Sequence, residues 1–152
     1  MTTPTASETG LLVIGYGNEL RGDDGVGPKV AEALDQLKVP GVRTISCHQL
    51  TPELAELVSH ASRVVFVDAS VNQEGGIRLT ELKPEETGAV MVHVADPRSL
   101  LALARDVFGH CPSAWWLTIR VETMEFGDTL SPAARRGMER ALESIQGMVR
   151  HG

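Results

Sequence analysis

The chain has 152 residues, which is enough for one domain with a layered core and too few for two separate cores. Hydrophobic side chains make up 42% of the residues and charged side chains 22%, an ordinary globular balance that excludes general disorder. The 14 basic residues are outnumbered by 20 acidic ones and lie scattered along the chain, so we expect no nucleic-acid partner.

The first half of the chain alternates between apolar runs of strand length and stretches of helical spacing. In chain order these segments are strand 11–16, a helix over 26–37, strand 42–47, a helix that opens at Thr51-Pro52, and strand 63–68. Threonine before proline is typical of a helix N-terminus. The third strand contains the uninterrupted apolar run 64–67, which favours a central position in a parallel sheet.

The second half continues this alternation. A weaker strand over 77–82 follows two glycines and is predicted at an edge of the sheet, whereas 83–95 favours no element. Asp96-Pro97 and Ser131-Pro132 each predict the start of a helix, and 115–121 between them predicts a strand. The whole pattern predicts an α/β fold with three layers, in which a twisted, mostly parallel sheet of about five strands lies between helices.

The termini and the cysteines limit the class of protein further. No apolar stretch reaches the roughly 18 residues that a membrane span requires, and segment 1–10 is neither basic nor apolar. We therefore expect a cytoplasmic protein without a membrane partner, flexible over 1–10 and with a single domain over 11–152. Cys47 and Cys111 form no CxxC pair, which excludes a disulfide scaffold or a structural zinc site.

The loop 15–27, rich in glycine and aspartate, follows the first strand directly. Ligands of open parallel sheets bind beyond the carboxyl ends of the strands, so a site is expected there. A dinucleotide-binding loop is an alternative, but Leu20 stands where the third glycine is needed. Asp23 and Asp24 also place negative charge where the phosphate would bind. These aspartates either cap the next helix or bind a cation.

Asp68 ends the buried third strand, where an unpaired carboxylate is costly unless a hydrogen bond or a cation compensates it. Among the five histidines, His93 and His48 are the candidates for a site at this edge. Two carboxylates and one imidazole form a ligand set suited to nickel, zinc or a similar divalent ion. The residues therefore predict a metal site that includes Asp24, Asp68 and a histidine.

These residues also carry a family resemblance. The segments Gly15-Tyr16-Gly17-Asn18 and Asp23-Asp24-Gly25-Val26-Gly27, then Val67-Asp68-Ala69, His93 and the stretch 125–132, together resemble the maturation endopeptidases of [NiFe]-hydrogenases. The resemblance covers nearly the whole chain, and the first motif is its most specific part. Tyr16 departs from it, since this position is usually aliphatic in the family.

The resemblance implies a single catalytic domain that cleaves the precursor of a hydrogenase large subunit once, near its carboxyl end, after nickel insertion. Asp24, Asp68 and His93 match the catalytic and metal-binding positions. The nickel is carried by the precursor, the partner protein, and other divalent ions could fill the site in the isolated protein, which we expect to be a monomer. The ion either polarises the scissile carbonyl or a water, or only docks the substrate while an aspartate acts as base. A non-catalytic metal-binding maturation chaperone is the alternative from another class, and a nucleotide-binding module is a third.

Overall fold

The computed structural model describes residues 10–86, 96–122, 127 and 129–151. The strands in this part of the chain are β1 (Leu11–Tyr16), β2 (Val42–Cys47), β3 (Arg63–Ser70), β4 (Ile77–Leu82) and β5 (Ser113–Arg120). The α-helices are α1 (Val26–Gln36), α2 (Leu54–Ser59), α3 (Pro97–Phe108) and α4 (Pro132–His151), and a short 3-10 helix (Gly22–Gly25) precedes α1. None of the helices in the described ranges is long and apolar enough to cross a bilayer.

The five strands form one sheet in the order β2-β1-β3-β5-β4. All neighbouring strands are parallel except β4, which runs antiparallel to β5 at the edge. The predicted three-layer α/β fold, the central position of the third strand and the edge position of the 77–82 strand are confirmed. Because β1, β2, β3 and β5 are parallel, their carboxyl ends share one edge of the sheet.

The sheet separates two hydrophobic clusters, one on each face. Alternate side chains of β1 and β3 belong to opposite clusters, as Leu12 and Val13 illustrate. Helices α1 and α4 cover one face, and α2 and α3 cover the other. This arrangement buries β1 and β3 on both sides and leaves only their ends accessible.

The predicted helix starts are confirmed at two of three positions. The Asp96 side chain accepts a hydrogen bond from Arg98 N at 2.8 Å, and Ser131 Oγ accepts one from Ala134 N at 3.2 Å. The prediction that Thr51 caps α2 is wrong. The helix begins only at Leu54, and its N-cap residue, Glu53, makes no capping hydrogen bond through its side chain. The Thr51 carbonyl instead accepts from Leu54 N, so threonine and proline form a turn before the helix.

The predicted flexible segment 1–10 lies outside the described residues except for Gly10. The Gly10 carbonyl accepts hydrogen bonds from the backbone N–H groups of Ser62 and Arg63, both at 3.2 Å. Gly10 therefore links the entrance of β1 to the entrance of β3.

Candidate functional site at the carboxyl edge of the sheet

Glycines bring the loop after β1 into contact with the end of β3. A β carbon at Gly27, in the first turn of α1, would lie 2.5 Å from the Val67 carbonyl oxygen. Gly17 has a φ of +149°, and a β carbon there would lie 2.0 Å from the carbonyl oxygen of Asp24. Only glycine permits these approaches, and they place the 3-10 helix that carries Asp24 against the strand that carries Asp68.

Asp24 is half-buried and organises the turn before it. Its Oδ2 accepts a hydrogen bond from Asn18 N at 2.8 Å, while Asn18 Oδ1 accepts one from Leu20 N at 2.9 Å. The helix-capping role considered for Asp24 is wrong, because the N-cap of α1 is Gly25 and no side chain caps the helix. Within the described residues nothing donates a hydrogen bond to Oδ1 of Asp24, which leaves this oxygen available to a ligand.

Asp68 lies on β3, which extends two residues beyond its predicted end. Its Oδ1 accepts a hydrogen bond from Ala69 N at 2.8 Å, and its Oδ2 accepts one from the Tyr16 hydroxyl at 3.0 Å. The pKa of Asp68 is raised from 3.8 to about 6, because burial and, to a smaller extent, the nearby charge of Asp24 outweigh the two hydrogen bonds, which lower it. The two aspartates therefore lie close enough for the charge of one to influence the other.

Tyr16 forms the buried side of this site. Burial, together with the negative charge of Asp68, raises the pKa of the Tyr16 hydroxyl, so it remains a neutral hydrogen-bond donor. The Trp116 indole Nε1 is buried close to this hydroxyl, but it makes no hydrogen bond to a described group. The tyrosine noted as a departure from the family pattern is thus the residue that holds Asp68.

Asp23 has a structural role and no access to solvent, with 0% exposure. Its carboxylate accepts hydrogen bonds from Glu122 N at 2.9 Å, Ser131 N at 2.7 Å and Ser131 Oγ at 2.7 Å. It therefore joins the 3-10 helix to the segment after β5 and to the start of α4. The helix-capping and cation-binding roles considered for Asp23 are both replaced by this one.

The predicted third ligand, His93, lies outside the described residues. Across the described part of the chain, no three His, Cys, Asp or Glu side chains are grouped so as to hold a metal ion. His48 is exposed and lines a cleft of about 360 Å³ together with Gly17, Asn18 and Cys47. The structure thus brings Asp24 and Asp68 together, and the histidine stays a prediction.

Sequence reasoning did not find the Tyr16–Asp68 hydrogen bond or the contacts of Asp23. A tyrosine at the end of an apolar strand was the available signal for the first, since a buried hydroxyl requires a partner. The contacts of Asp23 span 99 and 108 residues, and no local pattern indicates such pairing.

Neither a family model nor a curated protein matches the sequence. Solved structures do match it over nearly the full chain. The hydrogenase maturating endopeptidase HybD from E. coli has a TM-score of 0.70 and 24% identity, covering 93% of this chain and 92% of that one. The [NiFe] hydrogenase maturation protease HycI from Thermococcus kodakarensis has a TM-score of 0.71 and 22% identity, covering 93% of both chains.

A hydrogenase 2 maturation peptidase from a Thaumarchaeota archaeon has a TM-score of 0.68 and 20% identity, covering 91% of this chain and 97% of that one. At these identities the shared property is the path of the backbone. The chain therefore has the fold of the hydrogenase maturation proteases, with Asp24 and Asp68 both at the carboxyl edge of its sheet.

Proposed function

We propose that this chain is an endopeptidase that removes a short C-terminal extension from the precursor of a [NiFe]-hydrogenase large subunit after nickel has been inserted. The observation that carries the proposal is the pair Asp24 and Asp68, two carboxylates from separate elements at one edge of the sheet, close enough for the charge of Asp24 to raise the pKa of Asp68. The fold around this pair is that of solved hydrogenase maturation proteases, which supports the same reaction class.

The nickel in this proposal belongs to the substrate. Carboxylate oxygens and an imidazole nitrogen are suitable ligands for such an ion, and we assign the nitrogen to His93. A free oxygen on Asp24 and a carboxylate of Asp68 held in place by Tyr16 supply the oxygen ligands. A precursor without nickel offers these side chains nothing to bind, so recognition also tests whether the metal has been inserted.

Two routes to peptide-bond cleavage are compatible with this arrangement. In the first, the ion polarises the scissile carbonyl or a bound water as a Lewis acid. In the second, it only docks the precursor, and Asp24 or Asp68 takes a proton from the attacking water. A pKa of about 6 makes Asp68 largely ionised at neutral pH and more basic than an ordinary aspartate, which suits it to either route.

The test compares nickel-loaded and nickel-free precursor from the same organism, with cleavage followed by the mass of the large subunit. We expect the wild-type protein to cut only the nickel-loaded form. Asp24→Asn, Asp68→Asn and His93→Gln should each lower the rate by about 100-fold or more, because each removes a ligand or the base.

The matched control is Asp35→Asn, which changes the same functional group at an exposed position on α1 and should cleave normally. Circular dichroism checks that every variant is folded. Full activity in both Asp24→Asn and Asp68→Asn would reject the site. A wild-type protein that binds the nickel-loaded precursor and leaves it uncut would instead indicate the non-catalytic chaperone.

A further inference from the structure

A second cleft lies beyond the end of β5, with a volume of about 400 Å³. We call it the arginine cleft, and its lining includes Gly76, Arg120, Glu122, Arg136, Gly137 and Arg140. Three of the seven lining residues are arginines, although the whole chain carries a net charge of −6. Positive charge is therefore concentrated at one place on an acidic molecule.

The three guanidinium groups are not paired with a carboxylate within the described part of the chain. None of them makes an ion pair or a side-chain hydrogen bond there, whereas Arg105 is paired with Asp106 at 2.7 Å. A β carbon at Gly76 would lie 2.4 Å from Nη1 of Arg140, so the guanidinium of Arg140 rests on the Gly76 backbone. Glycine at this position keeps the cleft open.

The arginine cleft is at the same edge of the sheet as the aspartate pair. On the neighbouring strand Asp68 is in register with Thr118, and Ser70 is in register with Arg120. The Cα atoms of Asp68 and Arg120 are therefore about 8 Å apart, from the usual strand spacing and rise. The backbone N–H of Glu122, in the lining, donates to Asp23 beside Asp24.

The chemistry of the lining selects the ligand. Planar guanidinium groups bind carboxylates with paired hydrogen bonds, and several together favour more than one carboxylate. Glu122 in the lining and the negative net charge of the chain oppose a densely charged nucleic acid. A segment of polypeptide that carries acidic side chains fits both conditions.

We propose that the arginine cleft docks an acidic segment of the protein substrate, next to the bond that is cut. The identity of this partner as a substrate rests on the proposed peptidase function. The docking itself depends only on the three arginines, so it can be tested without cleavage.

The experiment measures the fluorescence anisotropy of a labelled hexaglutamate peptide with the full-length protein, at low and at physiological salt. Hexaglutamine, inorganic phosphate and a thymidine oligonucleotide are the comparison probes. We expect hexaglutamate to bind more tightly than any of them and to weaken as salt rises. Arg136→Glu combined with Arg140→Glu should weaken its binding by at least about tenfold.

The matched control combines Arg135→Glu with Arg150→Glu, which changes the net charge equally at exposed α4 positions outside the cleft. Normal binding by this control supports the proposal, and an equal loss overturns it by showing a general charge effect. Binding of hexaglutamate no tighter than hexaglutamine, or tighter binding of phosphate or the oligonucleotide, also overturns it. Failure of the wild type to cut the nickel-loaded precursor, with hexaglutamate still bound in the cleft, would reject the peptidase function alone.

Discussion

The pKa of the Asp68 carboxyl group is set by opposing influences. Hydrogen bonds from the Tyr16 hydroxyl and from Ala69 N favour its ionised form, and burial outweighs them, which brings its pKa to about 6. A ligand for a cation or a general base must be ionised to act. The proposed cleavage is therefore sensitive to pH in the range where Asp68 exchanges its proton.

We expect kcat/KM for cleavage to fall as the pH drops below about 6, because the raised pKa lets Asp68 take up a proton there. Tyr16→Phe removes a hydrogen bond that lowers this pKa, so the midpoint of the profile should move to higher pH. Initial rates over a pH series measure both midpoints. Thr118→Val, which deletes a hydroxyl on the neighbouring strand, should leave the midpoint in place. Coincident profiles for wild type and Tyr16→Phe would contradict this role of the tyrosine.

Asp23 is a buried acceptor of hydrogen bonds from Glu122 and Ser131, and its replacement tests how much these contacts stabilise the molecule. Asp23→Asn places an amide group against donors at Glu122 and Ser131, leaving at least one of them unsatisfied. We expect the free energy of unfolding to fall by about 2–3 kcal/mol, measured by urea denaturation. Asp35→Asn at the surface should change it by less than about 0.5 kcal/mol. An equal effect of both substitutions would contradict the structural role.

At the scale of the elements, the contact between α1 and the ends of β1 and β3 depends on Gly27. Gly27→Ala places a methyl group within 2.6 Å of two carbonyl oxygens, those of Val67 and Tyr16. The helix must move, so we expect a loss of about 2–3 kcal/mol in thermal or urea unfolding and slower cleavage.

The matched control for this substitution is Gly147→Ala in α4, where no heavy atom beyond the neighbouring residues and the backbone of the helix itself lies within 4 Å of the added group. Alanine is a better helix former than glycine, so this variant should be more stable by up to about 1 kcal/mol. Equal destabilisation by both substitutions would contradict the requirement for glycine where α1 contacts β1 and β3.

The strands and the two proline-marked helices could be predicted from the sequence because their signals are local. Continuous apolar runs indicate buried parallel strands, and Asp96 and Ser131 bond to N–H groups only two or three residues away. The start of α2 could not be predicted from Thr51, because the carbonyl of Thr51, not its side chain, accepts the hydrogen bond from Leu54 N. The 3-10 helix has only four residues, which is too short to show a hydrophobic period.

At the scale of the whole molecule, the neighbouring positions of Asp24 and Asp68 follow from topology. Asp24 follows β1 and Asp68 lies near the end of β3, and the ends of parallel neighbouring strands share one edge of the sheet. The sequence indicates such a pair once the sheet is recognised as parallel. The arginine cleft could not be predicted in this way, because it combines the end of β5, the start of β4 and one side of α4.

The hydrogen bonds of Asp23 also determine when the loop around it can be completed during synthesis. The donors to its carboxylate belong to residues 122 and 131, about a hundred positions later in the chain. While a ribosome is still adding those residues, the donors at positions 122 and 131 are missing from the nascent chain. A nascent chain therefore cannot form these contacts before the beginning of its last helix has been synthesised, so the loop with Asp24 reaches its final set of hydrogen bonds late in synthesis.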